Sequence, residues 1–308
     1  MGTVHRLITA EGKQAALQEG MFERAEVEAA ASYLSDEDPA IGFLYSGFCQ
    51  AALPHKRLPD AEGWHVQSER VSLIVEPGMR LGKTGTLEPV GVPYGSRARL
   101  ILIYLQSEAI RTQSRDITLG RSLRGWLGRL GISVGGASIS AVRDQAERIS
   151  RCHLTFQIAR GRALGLINQN IMETALFLDS PPEGQGSLFL ETATLSDGFY
   201  KQLQQHSVPL EEAAVRAVAN NSMALDIYAW LAYRLHSLTG PTPLHWKAVK
   251  TQFGVGFARM NGFKPRFLDN LRLALAVYPD ASVEVDERGL MLHPSRPPVS
   301  PRQIAAGC

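Results

Sequence analysis

Residues 138–151 read SISAVRDQAERISR, and this stretch decides the fold. Its apolar residues Ile139, Val142, Ala146 and Ile149 follow one another at steps of three, four and three. That spacing is typical of the buried face of an α-helix. The arginines of the stretch fall on the remaining faces. The sequence therefore predicts a helix that packs by one side and carries basic side chains on the other.

Two helices and a hairpin surround this stretch. Ser96 is a good N-cap for a helix that extends to about Thr112. A short extended piece at 116–119 precedes a second amphipathic helix, which ends before Gly131. After the third helix, strands at 153–158 and 164–167 flank an arginine-rich tip and predict a β-hairpin. Three helices followed by a hairpin are the layout of a winged helix-turn-helix.

The same order recurs in the second half of the chain. Helices are predicted over 223–238 and 244–253, and a third from Pro265, a residue favoured at the first helical position, to Tyr278. A hairpin over 282–292 closes the unit. In the third helix Leu268, Leu271, Leu275 and Tyr278 take the places of Ile139, Val142, Ala146 and Ile149.

The predicted fold class is α+β, with two tandem winged helix-turn-helix domains and a helical N-terminal extension. We expect the extension to cover residues 1–52. The first domain, for DNA contact or dimerisation, covers 53–179, and the second, for sequence-specific DNA binding, covers 186–295. Residues 296–308, which include prolines and a serine, are predicted to form a flexible tail.

The formal net charge of +2 conceals two basic blocks. Twelve arginines lie between Arg97 and Arg162, where only four acidic residues oppose them. Six basic residues lie between Lys247 and Arg272, against Asp269 alone. This layout suits a polyanionic partner. The alternative is that the blocks are solvated helix faces.

Double-stranded DNA is the partner that a winged helix-turn-helix predicts, because its third helix enters the major groove. Arginine can clamp guanine, asparagine can pair with adenine, and lysines can meet phosphates. The residues predicted to contact DNA are Arg121, Arg124, Ser138, Ser140, Arg143, Arg148, Arg151, Arg160, Arg162, Lys247, Lys250, Arg259, Lys264, Arg266, Asn270 and Arg272. As an alternative, Arg148 pairs with Asp144 at the i, i+4 spacing. The acidic second hairpin is not expected to touch phosphate.

Enzymatic motifs do not stand out in the sequence. Residues 71–84 resemble a P-loop, but Pro77 occupies the position of its first glycine, and the residues that follow are a poor helix start. The eight histidines form no H-x-H pair, and the three cysteines lie far apart. We therefore predict no catalysis, no cofactor and no metal. Without a signal peptide or a membrane span, the expected location is the cytoplasm.

Several phrases resemble the plasmid-encoded RepA replication proteins of proteobacteria. They are VPYGSRARLILIYLQ at 92–106, QAERISRC at 145–152, NNSMALDIY at 220–228, and the shorter stretches 230–236 and 267–271. The resemblance runs from about Leu53 to Pro298. It implies a protein that binds repeated sequences (iterons) at a plasmid origin, opens adjacent AT-rich DNA and recruits the host initiator, helicase and helicase loader. It also implies copy number control, in which a homodimer represses its own gene and the monomer starts replication.

A dimeric winged-helix repressor with no role in replication is the alternative function. Winged helices alone do not separate the two. Two tandem DNA-reading units favour an initiator that spans a long site.

Overall fold

The computed structural model describes residues 3–129, 132, 135–160, 163–177 and 190–300. The chain divides into two compact units. The central unit runs from Phe43 to Ser207. The composite unit joins the residues up to Gly42 with those from Val208 onward. The chain therefore leaves the composite unit near Gly42 and returns to it near Val208.

Helices and strands both occur throughout the described ranges. The helices are α1 (Thr3–Glu19), α2 (Arg24–Leu34), α3 (Ser46–Gln50), α4 (Gly95–Thr112), α5 (Gly120–Arg129), α6 (Gly136–Arg151), α7 (Asp197–His206), α8 (Glu212–Ala217), α9 (Ser222–Arg234), α10 (Trp246–Phe253) and α11 (Met260–Ala276). The strands are β1 (Ile41–Tyr45), β2 (Trp64–Gln67), β3 (Val71–Glu76), β4 (Gly78–Leu81), β5 (Leu87–Gly91), β6 (Asp116–Thr118), β7 (His153–Arg160), β8 (Ala163–Asn170), β9 (Met172–Phe177), β10 (Leu190–Leu195), β11 (Ser207–Glu211), β12 (Thr242–His245), β13 (Val283–Val285) and β14 (Gly289–Leu292). None of these helices is long and apolar enough to cross a membrane.

The central unit contains the first predicted set of three helices. Helix α4 is apolar on nearly all sides, and its residues 98–107 are all buried, as expected of a helix enclosed by other elements. Tyr104 of α4 lies against Trp126 of α5, with ring centroids 5.4 Å apart. The three helices lie where the periodicity predicts them. A three-stranded antiparallel sheet in the order β6-β10-β9 belongs to the same unit.

The hairpin that was predicted as the first wing belongs to another sheet. Strands β7 and β8 pair antiparallel, as predicted, from His153 opposite Asn170 to Arg160 opposite Ala163. However, β7 also pairs with β3, which gives a four-stranded sheet in the order β2-β3-β7-β8. The strand between the first two helices, β6, pairs instead with β10. Strands β9 and β10 therefore occupy the position of the wing, and residues 178–189 between them lie outside the described ranges.

The composite unit repeats this arrangement with α9, β12, α10, α11, β13 and β14. The side chain of Asn221 caps α9 by accepting a hydrogen bond from the backbone N–H of Ala224 at 3.1 Å. The sheet order β12-β14-β13 corresponds to β6-β10-β9. Aromatic rings fill the core, because Phe267 of α11 lies 6.0 Å from Trp246 and 5.5 Å from Phe253 between ring centroids. The predicted repeat is thus present in the order of both helices and strands.

The start predicted for α11 is wrong by more than one turn. The helix begins at Met260, so Pro265 lies inside it and not at its first position. Its buried side chains are Phe263, Phe267, Leu271, Ala274 and Ala276. Of the predicted face, Leu268 and Leu275 are half-buried, and Tyr278 is buried but lies beyond the helix end. Two apolar stripes compete on this helix, and the larger aromatic side chains take the core.

The predicted N-terminal extension packs into the composite unit. Helices α1 and α2 contact each other, and α2 contacts α11. The His5 imidazole hydrogen-bonds to the backbone carbonyl of Ala276 across 2.9 Å, at the end of α11. The Tyr33 hydroxyl donates to Glu211 at 2.7 Å. The helical prediction for residues 1–52 holds over α1, α2 and α3, but residues 41–45 form a strand. Helices α1 and α2 form a layer on the composite unit, in which α2 contacts α11.

The segment from Glu76 to Gly95 contains the hairpin β4–β5. Its register places Arg80 opposite Glu88 and Leu81 opposite Leu87. Gly82 donates its backbone N–H to the carbonyl of Thr86 at 2.8 Å and closes the turn. The P-loop-like residues are therefore strand β3 followed by this hairpin. The next element is strand β5 and not a helix, so no helix N-terminus faces this loop, in agreement with the rejection of a phosphate-binding loop.

The contact between α2 and α11 predicts that the N-terminal helices stabilise the composite unit. Val27 of α2 is 0% exposed, so Val27→Ala should cost this unit about 2 kcal/mol by loss of buried methyl groups. Hydrogen exchange measured by mass spectrometry should then accelerate in peptides from α9 and α11 but not in those from α4. Met21→Ala is the control, because Met21 is 68% exposed. Unchanged exchange in α11 would contradict the layer.

Candidate nucleic-acid interface

The first half of α11 presents basic side chains to solvent. Phe263 and Phe267 are buried, and this sets which side of the helix faces outward. Arg259, at the N-cap, and Arg266 are exposed. Lys264 is half-buried, and its Nζ lies 4.6 Å from the ring centroid of Trp246 at the start of α10. This cation–π contact fixes the lysine between the second and third helices.

Helix α10 extends the same basic surface. Lys247 is exposed and Lys250 is half-buried, one turn apart along the helix. Trp246, which starts α10, donates its indole N–H to the backbone carbonyl of Asp286 at 3.2 Å, and this hydrogen bond anchors the helix. We call Lys247, Lys250, Arg259, Lys264 and Arg266 the α10–α11 basic face.

Cations of the α10–α11 basic face are not neutralised within the described part of the chain. No described carboxylate forms an ion pair with any of the five side chains. Because an ion pair inside the protein competes with an external anion, unpaired cations are the ones available to phosphate.

Two predicted residues of α11 face other groups. The Asn270 amide donates to the backbone carbonyl of Arg266 at 2.6 Å, within the helix. Arg272 forms an ion pair with Asp269 at 3.1 Å. Burial raises the pKa of Glu26 in α2, and the charge of Arg272 partly offsets that rise, which places Arg272 beside the N-terminal layer. Neither side chain joins the α10–α11 basic face.

Arg148 of the central unit is buried, which corrects its predicted place on an exposed helix face. Its side chain is 2% exposed. The guanidinium donates to Asp144 at 2.9 Å and to Asp60 at 3.1 Å, and it lies 5.3 Å from the ring centroid of Tyr94. Burial disfavours the charged form, but the two carboxylates outweigh it and raise the pKa of Arg148. The pairing with Asp144 is the alternative that the i, i+4 spacing offered.

The two ends of α6 differ in their contacts. At its end, Arg151 pairs with Glu147 at 3.2 Å and donates to the backbone carbonyl of Met79 at 3.1 Å in the hairpin β4–β5. At its start, Ser140 and Arg143 are exposed, whereas the Ser138 hydroxyl is buried.

The remaining predicted contacts lie on the second helix and near the hairpin tip of the central unit. Arg121 and Arg124 belong to α5, and Arg160 ends β7. Arg162 lies outside the described residues. Arg160 therefore lies in the four-stranded sheet β2-β3-β7-β8 and not in the winged-helix sheet β6-β10-β9.

Other arginines of the first basic block are held by hydrogen bonds and ion pairs within the fold. Arg99 is buried and donates to the backbone carbonyls of Leu53, Pro54 and Gly95. Arg115 pairs with Glu173 at 2.7 Å. Several of the acceptors come from segments outside the block, so the local charge count overstates its exposed positive charge.

A family model described as "Plasmid encoded RepA protein" matches residues 92–243. Over this segment the chain is similar to the RepA_C family. The segment begins just before α4 and ends in β12, so it includes α4, α5 and α6 together with α9. The α10–α11 basic face lies beyond the RepA_C segment. The family match and the basic face are therefore separate observations.

Two solved structures are similar to the chain. A crystal structure of domains 2 and 3 of RctB has a TM-score of 0.54 and 11% sequence identity, and the match covers 83% of this chain and 99% of that chain. A second structure of RctB domains 2–3 has a TM-score of 0.47 at 9% identity, with 80% and 94% covered. The first match identifies the fold as winged-helix-like, in agreement with the predicted class. No curated protein matches the chain.

Groups with catalytic chemistry are sparse in the described residues. They contain no cluster of three His, Cys, Asp or Glu side chains that could hold a metal ion. Cys49 and Cys152 are buried thiols, and burial raises the pKa of the Cys152 thiol to about 12, so it stays protonated at neutral pH.

Arg148 should act in stability. Arg148→Ala leaves Asp60 and Asp144 without this partner, and we expect a loss of about 2–3 kcal/mol in the free energy of unfolding of the central unit, discounted because both carboxylates are partly exposed. Urea denaturation measures this loss. Arg143→Ala, at an exposed position of α6, should change it by less than about 0.5 kcal/mol. Equal urea midpoints for the two variants would contradict the buried role.

The same cluster predicts a pH dependence. Burial opposes ionisation of Asp60, but hydrogen bonds from Arg57 and Arg148 outweigh it, so the pKa of Asp60 lies below its ordinary value of 3.8. Because the pKa of Asp60 is lower in the folded state, its ionised carboxylate stabilises the fold above pH 3.8. This stabilisation is lost as the pH falls through the folded-state pKa. The difference in urea midpoint between the native chain and Asp60→Asn should therefore shrink from pH 7 to about pH 3. A constant difference would show that the Asp60 charge contributes nothing.

Proposed function

We propose that the chain initiates plasmid replication by binding repeated sequences in double-stranded origin DNA through the α10–α11 basic face. In this proposal it promotes local opening of the duplex and recruits the host initiator, helicase and helicase loader. The RepA_C segment supports the replication role. Iteron binding and recruitment of host proteins are proposed in addition to that role.

The unpaired cations of α10 and α11 carry the DNA-binding part. Five basic side chains on the second and third helices of a winged-helix unit, without carboxylate partners in the described chain, match the surface that meets DNA in this fold. Each phosphate neutralised by such a side chain releases a counterion, and binding weakens as salt rises. Lys247 and Lys250 are assigned to phosphates, and Arg266 is assigned to a base edge.

The central unit supplies a second contact in this proposal. Its third helix presents Ser140 and Arg143 at its open start. This surface contacts a neighbouring stretch of the same DNA or a second copy of the chain. Two winged-helix units in one chain would span more DNA than a single unit.

Titration of the full chain against labelled fragments tiled across the DNA that flanks its gene tests the proposal. We expect one fragment to bind tightly in the presence of scrambled competitor DNA. Arg266→Ala should weaken that binding by about 1–3 kcal/mol, and Lys247→Ala should reduce the slope of log affinity against log salt by about one. Arg24→Ala is the matched control, because Arg24 is exposed and pairs with Glu28 on α2. Equal binding of all fragments, unchanged in the variants, would contradict sequence-specific binding by this face.

A replication assay separates initiation from repression. A plasmid that carries only the bound fragment and a resistance marker should yield transformants when the chain is supplied in trans, and none with Arg266→Ala. Tight binding without transformants, together with repression of the flanking promoter, would instead support the dimeric repressor.

A further inference from the structure

The hairpin β4–β5 exposes an apolar pair that the proposed function does not use. Leu81 and Leu87 face each other across the two strands, and they are 70% and 69% exposed. Met79, two residues before Leu81, is 48% exposed. Three of the six exposed large apolar side chains in the described ranges therefore lie on one short hairpin.

Both ends of this hairpin are fixed to the third helix of the central unit. At Gly78 an added Cβ would overlap the backbone of Arg151, and at Gly91 it would overlap the guanidinium of Arg148. Arg80 adds ion pairs to Glu147 of α6 at 3.3 Å and to Glu88 across the hairpin at 3.5 Å. The apolar tip is thus held on a helix that is itself tied into the core.

Charge at the tip favours an anionic partner. Lys83 is exposed in the turn, and no described carboxylate pairs with it. The single acid of the hairpin, Glu88, is neutralised by Arg80. The tip therefore combines two exposed leucines with an unpaired ammonium group.

We propose that the hairpin β4–β5 is a wedge that inserts Leu81 or Leu87 between base steps of double-stranded DNA, while Lys83 contacts the adjacent phosphate. Apolar side chains inserted in this way unstack bases and kink a duplex by about 20–90°. The proposal rests on the proposed DNA binding and adds a device for opening DNA. A protein interface is a poorer fit, because three side chains on a short hairpin offer far less than the ~1,200–2,000 Å² of a stable interface.

Permanganate oxidation of unstacked thymines tests the wedge. The probe is the fragment that the full chain binds most tightly, or a mixed-sequence duplex if all fragments bind equally. The intact chain should render thymines reactive beside its binding site. The double variant Leu81→Ser, Leu87→Ser should bind with affinity within roughly twofold of the intact chain, yet leave thymines as unreactive as in naked DNA.

Two further variants keep the test decisive. Leu81→Met with Leu87→Met retains apolar bulk and should retain thymine reactivity, since methionine also serves as an intercalating side chain. Met21→Ser removes an equally exposed apolar side chain outside the hairpin and should leave reactivity unchanged. Full reactivity with the double serine variant would overturn the wedge.

Other outcomes separate the wedge from the proposed function. Tight binding of DNA by the intact chain without reactive thymines overturns the wedge alone. Absence of DNA binding overturns both. A lower sedimentation coefficient of the free serine variant would show that the leucines join copies of the chain, and would also overturn the wedge.

Discussion

The side chain of Phe267 lies in the core of the composite unit against Trp246 and Phe253, with Phe263 packed against Phe267, and the account of DNA binding depends on this aromatic cluster. Burying two phenylalanines one turn apart fixes the rotation of α11 about its axis. Truncation of a buried phenylalanine typically costs about 3–5 kcal/mol, so other rotations are strongly disfavoured. In the observed rotation Arg266 faces solvent, and the half-buried Lys264 is held over Trp246. Arg272, in the second half of the helix, lies beside Glu26 of α2, whereas the first half presents Arg266 to solvent.

Ion pairing decides which of the remaining basic residues are available to a partner. In the central unit, carboxylates from distant segments approach the arginines, as Asp60 does for Arg148 and Glu173 for Arg115. In the composite unit Asp269 forms an ion pair with Arg272, whereas no described carboxylate pairs with the α10–α11 basic face. A winged-helix fold thus appears twice in one chain with different electrostatics. One third helix buries Arg148 between two carboxylates, and the other presents cations to solvent.

Local periodicity predicted the helices well, because three- and four-residue spacing is a property of a single segment. The bounds of α4, α5, α6 and α9 follow from it, and so does the repeated winged-helix order. The failures involve partners far apart in the chain. Strand β6 pairs with β10 more than seventy residues later, which no hairpin signal reveals. Arg148 finds Asp60 at a separation of 88 residues. The start of α11 was misplaced for a local reason, because Pro265 suggested a helix start that the phenylalanines override.

Photocrosslinking measures most directly which helix meets DNA. A photoreactive amino acid is placed in turn at positions 266, 272 and 143, and each full-length protein is irradiated with the bound duplex. The account predicts strong crosslinks to DNA from position 266 and weak ones from position 272, because Arg272 pairs with Asp269 beside α2. Crosslinks that are strong from position 143 and absent from position 266 would contradict it, since the reading helix would then be α6.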